Sequence, residues 1–149
     1  MKDSIKIIAH NKKARFEYFI EDKFEAGVVL AGSEVKSIAL GNITLGDSFC
    51  LIRNGEAWLK NCQIAPYVKG SVFNEDPRRD RKLLLNRSEI NKLIGKLKVS
   101  GYSLVPLSVY FKRGKVKIEI GLVVGKKLHD KRAVIKERDI LRSEMREMK

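Results

Sequence analysis

Acidic side chains are scarce in this chain: 18 Asp and Glu stand against 31 Lys and Arg over 149 residues, a formal charge of +13 at pH 7. The deficit says nothing about fold, but it favours association with nucleic acid or an anionic surface. Long apolar runs are missing too. None approaches the ~20 residues needed to cross a bilayer. The segment Ile5-Lys6-Ile7-Ile8-Ala9 is too short for a signal-peptide core, so the expectation is a soluble, cytosolic chain with no membrane partner. Cysteine is limited to Cys50 and Cys62. Without an export signal they read as two small apolar residues in a reducing compartment. Asn42-Ile43-Thr44 and Asn86-Arg87-Ser88 fit the glycosylation pattern, which means nothing without export.

Catalytic and metal-binding groups are equally thin. The only histidines, His10 and His129, fall in basic segments expected to be mobile. A metal site wants Cys/His pairs at short spacing, whereas Cys50 and Cys62 stand twelve apart. Gly121 to Lys127 is one residue short of a P-loop, lacks the Ser/Thr after Gly-Lys and starts inside a strand pattern. No enzyme, metal or cofactor is expected.

What is present is strand periodicity. Hydrophobic residues make up 44% of the chain, enough for one core. From Phe16 to Leu30 the even positions alternate as a strand, broken only at Asp22, read as a turn or bend, while Gly27 permits tight curvature or a bulge. Ser33 to Leu40 reads as a short helix with Ser33 as N-cap, Gly41 just past its end, and Val35, Ile38 and Ala39 inward. Ser48 to Arg53 and Glu56 to Ile64 flank Asn54-Gly55, a hairpin-turn pair. A polar loop over Lys69 to Arg81 feeds a strand at Lys82 to Leu85. Asn86 with Glu89 starts a helix whose inward residues are Ile90, Leu93, Ile94 and Leu97, closed by Gly101. Leu104 to Phe111 and Lys115 to Val124 form a last hairpin across Arg113-Gly114. Antiparallel strands closing on themselves around such helices predict a mainly β fold. The expected form is a closed, oligonucleotide-binding (OB-like) barrel over residues 1–124 with about three flanking helices.

The basic residues cluster. Asn11-Lys12-Lys13-Ala14-Arg15 precedes the first predicted strand; Arg78, Arg79, Arg81 and Lys82 surround Asp80; and Lys112, Arg113, Lys115 and Lys117 crown the last hairpin. Any one cluster could be a solvated face. Three together, on so basic a chain, point to nucleic acid. Tyr67 and Tyr110 could stack on bases, although packing is the commoner use of such residues. Glu25 and Glu34 run against a pure charge argument, since carboxylates repel phosphate. They could instead accept hydrogen bonds from base amino groups or a ribose hydroxyl. Gly125 to Lys149 forms a second unit, a charged arm with nine Lys/Arg against five Asp/Glu. Its stripe Val134, Leu141, Met145 and Met148 is too narrow to order a helix alone, so disorder when free and a helix when held are expected.

Five blocks carry a resemblance: Asn11 to Ile20, Phe24 to Gly27, Gly32 to Ser37, Arg81 to Asn86 and Gly125 to Arg132 together resemble small protein B, the bacterial partner of transfer-messenger RNA (tmRNA). The resemblance implies an OB-like barrel with flanking helices and a tail. It implies an adaptor that binds the tRNA-like domain of that RNA, in place of a missing anticodon arm, and delivers it to stalled ribosomes. Asn11, Glu25, Lys36 and Leu84 match positions associated with RNA binding. The nearby basic residues Lys12, Lys13, Arg15, Arg78, Arg79, Arg81, Lys82, Lys115 and Lys117 accompany them. Gly125, Lys126, Lys127, His129, Asp130, Lys131 and Arg132 match a segment that works in the ribosomal decoding centre, with His129 stacking on a ribosomal base. The rest of the tail would fold as a helix along the empty message channel. Phe16 sits where many relatives are expected to carry His. A general single-strand nucleic-acid binder on the same barrel is the alternative, and a monomer is expected when the protein is free.

Overall fold

Two tight turns organise the strand pairing. Asn54 and Gly55 have φ of 54° and 75°, and Arg113 and Gly114 have φ of 54° and 75°. Positive φ at both central residues is the hairpin turn whose twist matches that of the flanking strands. The computed structural model describes residues 5–67 and 76–126 of the chain. Around these turns lie β1 (Ile5–His10), α1 (Lys12–Glu17), β2 (Tyr18–Val28), α2 (Gly32–Ala39), β3 (Ile43–Thr44), β4 (Phe49–Arg53) and β5 (Glu56–Lys60). They are followed by β6 (Gln63–Ile64), β7 (Arg81–Leu84), α3 (Arg87–Leu97), β8 (Tyr102–Lys112) and β9 (Lys115–Gly125).

All strand pairings are antiparallel, and six strands form a ring in the order β8-β4-β5-β7-β2-β9, with β9 returning to β8. One edge of β8 pairs with β9 along its length, and the other is shared by β4, through Cys50 and Leu104, and by β1. β3 and β6 make a separate small pair. Inside the ring pack Phe24, Ala26, Leu59, Leu83, Val109, Ile118, Ile120 and Leu122, with Ile38 of α2 and Leu93 of α3. Val116, Ile118, Ile120, Leu122 and Val124 are all buried, as the alternation in β9 predicts.

A second, smaller cluster lies under α1: Ala14, Val105, Leu107 and Val123, with Tyr18 and Ile20 against it. Here β8 and β9 are covered on both faces, so the strands need unbroken apolar runs rather than alternation. A bulge between Pro106 and Ser108 inserts Leu107 into this layer. Leu107 lies directly over Gly121, where an added Cβ would come within 2.7 Å of its Cδ1.

Several sequence expectations are corrected. The first strand does not begin at Phe16. Asn11 caps α1 by accepting from the Ala14 amide at 3.1 Å, which throws Phe16 outward at 79% exposure. His10 ends β1 rather than a loose segment. Asp22 marks no turn: β2 runs through it with a bulge between Ile20 and Asp22. α2 starts from Ala31, whose amide donates to Glu34, and its Ala39 is exposed. The strand after Asn54-Gly55 breaks at Asn61 (φ 58°), so β6 pairs with β3 instead. β7 covers Arg81–Leu84 rather than residues 82–85. α3 ends at Leu97, and Gly101 (φ 91°) follows an extra turn.

Cys50 and Cys62 are free and buried. Burial raises both thiols, Cys62 to about 11, so neither is a ready nucleophile. No helix among the described residues is long and apolar enough to cross a membrane. Replacing Gly121 with Ala should drive Leu107 out of its site and cost ~1–3 kcal/mol, as overpacking of a filled core does; urea unfolding at unchanged m would register it.

Candidate nucleic-acid interface

Residues paired across antiparallel strands share a face, and the register sets one outward row across five strands. Leu84 of β7 pairs with Gly27 of β2, Gly27 with Lys117 of β9, Lys117 with Tyr110 of β8, and Tyr110 with Ile7 of β1. Leu84 and Ile7 are 52% and 55% exposed. Gly27 lets Leu84 lie flat over β2, since an added Cβ would sit 3.3 Å from the Leu84 Cβ.

Glu25, two residues before Gly27, projects on the same face. Its carboxylate accepts a short hydrogen bond from the Tyr110 hydroxyl and lies 3.3 Å from the Lys112 Nζ through both oxygens. The Tyr110 hydroxyl holds the Glu25 carboxyl below its ordinary range, against the opposing effect of burial, with Lys112 and Lys117 assisting. Burial, then the Glu25 contact, pushes the Tyr110 phenol up. Glu25 is therefore an anion at neutral pH with a hydroxyl fixed against it. A shallow cavity of about 260 Å³ opens here, lined by Glu25, Lys112, Arg113, Lys115 and Lys117. Neither Lys115 nor Lys117 has a carboxylate within ion-pair distance among the described residues.

A second basic region surrounds α1. Lys12 is exposed, Lys13 pairs with Asp47 at 2.9 Å and Arg15 with Glu119 at 3.6 Å. Gly125, at the end of β9, pairs with Tyr18. The next residue, Lys126, sets its Nζ 5.6 Å from the centre of the exposed Phe16 ring, a cation–π contact. Asn11 is only 2% exposed. Its amide donates to the carbonyls of Pro106 (2.9 Å) and Leu45 (3.4 Å) while its oxygen caps α1, so it can influence a ligand only by holding α1. Lys36 stands on α2 over the Tyr67 ring at 5.6 Å. Lys127, His129, Asp130, Lys131 and Arg132, and the predicted tail helix, lie outside the described residues.

The cluster at residues 78–82 does not form one basic patch. Arg81 is fully buried. It donates to Glu34 (Nε at 2.7 Å) and to the carbonyls of Cys62 (2.7 Å), Pro77 (3.0 Å) and Arg79 (3.1 Å). Arg79 closes on the same carboxylate, with Nε at 3.2 Å and a shorter bond from Nη2. Glu34 is 4% exposed and also accepts from the Ala31 amide at 2.9 Å. Burial works against its ionisation, but Arg79, the Ala31 amide and Arg81 outweigh that and keep its carboxyl below the ordinary range. Glu34 is therefore no acceptor for RNA. Only Arg78 and Lys82 of the cluster reach outward, and Lys82 faces Glu56 at 3.4 Å.

The model of the family described as SmpB protein matches residues 8–149. The chain belongs to the SmpB family. It is 55% identical over 148 residues to the SsrA-binding protein of Acetivibrio thermocellus, covering 99% of this chain and 96% of the relative. It is 56% identical over 145 residues to that of Trichodesmium erythraeum, covering 97% and 93%. A solved structure described as "tmRNA-SmpB: a journey to the center of the bacterial ribosome" contains a similar chain. The two are 47% identical with a TM-score of 0.68, over 79% of this chain and 83% of that one.

For this SmpB-family chain, sequence reasoning grouped Lys112 with the hairpin but missed its closure on Glu25. It also missed Tyr110 as the partner of that carboxylate. Tyr110 and Glu25 lie 85 residues apart, and their meeting depends on the register of β8, β9 and β2, which no local pattern reveals. Arg81→Met should destabilise the protein by ~3–5 kcal/mol in urea, because it strips a buried carboxylate of a partner. Glu34 has a depressed folded pKa, so its stabilising contribution is complete above the ordinary value of 4.5 and fades as pH falls below it. A Glu34→Gln variant should show a flatter stability profile between pH 5 and pH 3 than the parent.

Proposed function

We propose that this chain binds the tRNA-like domain of tmRNA and delivers it to stalled ribosomes in trans-translation, acting as a cytoplasmic adaptor with no reaction of its own. The observation that carries the reading is identity above 50% to SsrA-binding proteins over nearly the whole chain. The tmRNA-SmpB likeness supports the ribosome as second partner. In this reading the ring of strands is a closed OB-like barrel. Its outer face at Glu25, Leu84, Lys115 and Lys117 takes the RNA, with Lys12, Lys36, Arg78 and Lys82 as flanking cations. Residues 125–149 form the second unit: Gly125 to Arg132 works in the decoding centre and the remainder follows the message channel as a helix. The free protein is a monomer.

A cationic face of this kind supplies phosphate contacts for affinity, while shape and sugar contacts select the RNA. A general single-strand binder would offer stacking platforms, whereas the cavity at Glu25 is lined only by charged residues. Affinity for the tRNA-like fragment should fall linearly in log–log plots against salt. Replacing Lys115 and Lys117 with Ala should lower that slope by about one per lysine. A salt-independent affinity would defeat the electrostatic account.

Truncation after Lys126 leaves β9 whole. It should preserve affinity for the isolated tRNA-like fragment while abolishing release of stalled ribosomes in a reconstituted translation assay. Loss of fragment binding on truncation would refute the division between ring and tail.

A further inference from the structure

The cavity at the tip of the β8–β9 hairpin sets a carboxylate among four cations. Glu25 faces Tyr110 and Lys112 from β8, Lys115, Lys117 and Glu119 from β9, and the turn residue Arg113. One hydroxyl donor and one ammonium group are already committed to it within the protein. Tyr110 is only 7% exposed, and it is locked between Ile7 and Lys117 by strand register. Its ring cannot swing out to stack on a base; what it offers is a fixed hydroxyl. An ionised carboxylate has room for about four hydrogen bonds, so acceptor sites on Glu25 remain for a ligand.

We infer that Tyr110 is a positioning residue that fixes Glu25 as the acceptor for a ribose 2′-hydroxyl of the bound RNA. The inference rests on the proposed RNA-binding function and deepens it. Two observations favour the sugar over a base edge. All five residues lining the cavity are charged and none is aromatic, so it lacks the aromatic platform on which RNA bases are commonly stacked. The flanking cations suit backbone phosphates, and the 2′-hydroxyl is the hydrogen-bond donor that the RNA backbone presents beside them. Glu25 thus resolves the paradox of an anion on a polyanion-binding face. It repels phosphate but pairs with the hydroxyl next to it, favouring RNA over DNA.

The test uses the full-length protein and the tRNA-like fragment of tmRNA in two forms, all-ribose and 2′-fluoro, the latter keeping A-form geometry while lacking the donor. Tyr110→Phe keeps the packing of the ring and removes the hydroxyl; Glu25→Gln keeps the shape and removes the charge. Both should bind all-ribose RNA roughly tenfold more weakly than the parent, the scale of one charge-assisted hydrogen bond. The salt slope and melting temperature should stay near the parent values, and the double variant should be no weaker than either single one. On 2′-fluoro RNA the parent and both variants should bind alike. Unchanged affinity of Tyr110→Phe for all-ribose RNA would overturn the positioning role. Equal losses on both RNAs would overturn the hydroxyl assignment. A parent protein that fails to bind the all-ribose fragment would overturn the function itself, and this inference with it.

Discussion

The buried carboxylate of Glu34 is the interaction on which the architecture turns. Isolated charge is costly to bury, and such a group persists only when paired and hydrogen-bonded on every side. Glu34 meets that condition with three donor groups from separate places in the chain: Arg79, Arg81 and the Ala31 amide. Arg81 then reaches the carbonyls of Cys62 and Pro77. One ion cluster thereby ties the start of α2, the approach to β7 and the exit from β5. β7 is the strand that joins β5 to β2. Its position closes that side of the ring, and the ring in turn sets the register that brings Glu25 under Tyr110.

This internal use of arginine changes how the chain's charge should be read. A count of +13 treats every cation as available, yet Arg81 is wholly inside and Arg79 is half-buried on Glu34. Period-2 alternation along β7 separates neighbours by role: Arg81 and Leu83 point in, Lys82 and Leu84 point out. The outward potential gathers instead at the β8–β9 hairpin and around α1. A basic run in a sequence therefore predicts a patch only after the face of each residue is known.

Local chemistry was the legible part. Asn54-Gly55 and Arg113-Gly114 announced their hairpins because a two-residue turn needs positive φ wherever it occurs, and α3 announced itself by its apolar spacing and by Glu89 returning to the Asn86 amide. α1 stayed hidden for the opposite reason. Asn11 caps it while bonded to Leu45 and Pro106, partners 34 and 95 residues away, and Phe16 and Tyr18 happen to fit strand alternation. The bulge at Leu107 and the Glu34–Arg81 pair are likewise products of tertiary register. The resemblance to small protein B singled out Glu25 and Leu84, which alternation alone would have left as ordinary surface positions.

β9 gives the molecule its functional geometry. Lys117 stands near one end of it, in the outward row with Leu84 and Tyr110, and Gly125 ends it beside Tyr18 and α1. Eight residue steps at ~3.4 Å place these ends roughly 27 Å apart. From Lys117 to Val124 that strand is paired on both edges, with β8 on one and β2 on the other, so it cannot shorten or bend to bring them together. The proposed RNA face and the root of the tail are consequently held at a fixed distance, like the ends of a strut. The proposed adaptor role, with one partner on the ring and a second reached by residues 127–149, would use this separation, and a strand paired on both edges supplies it without a hinge.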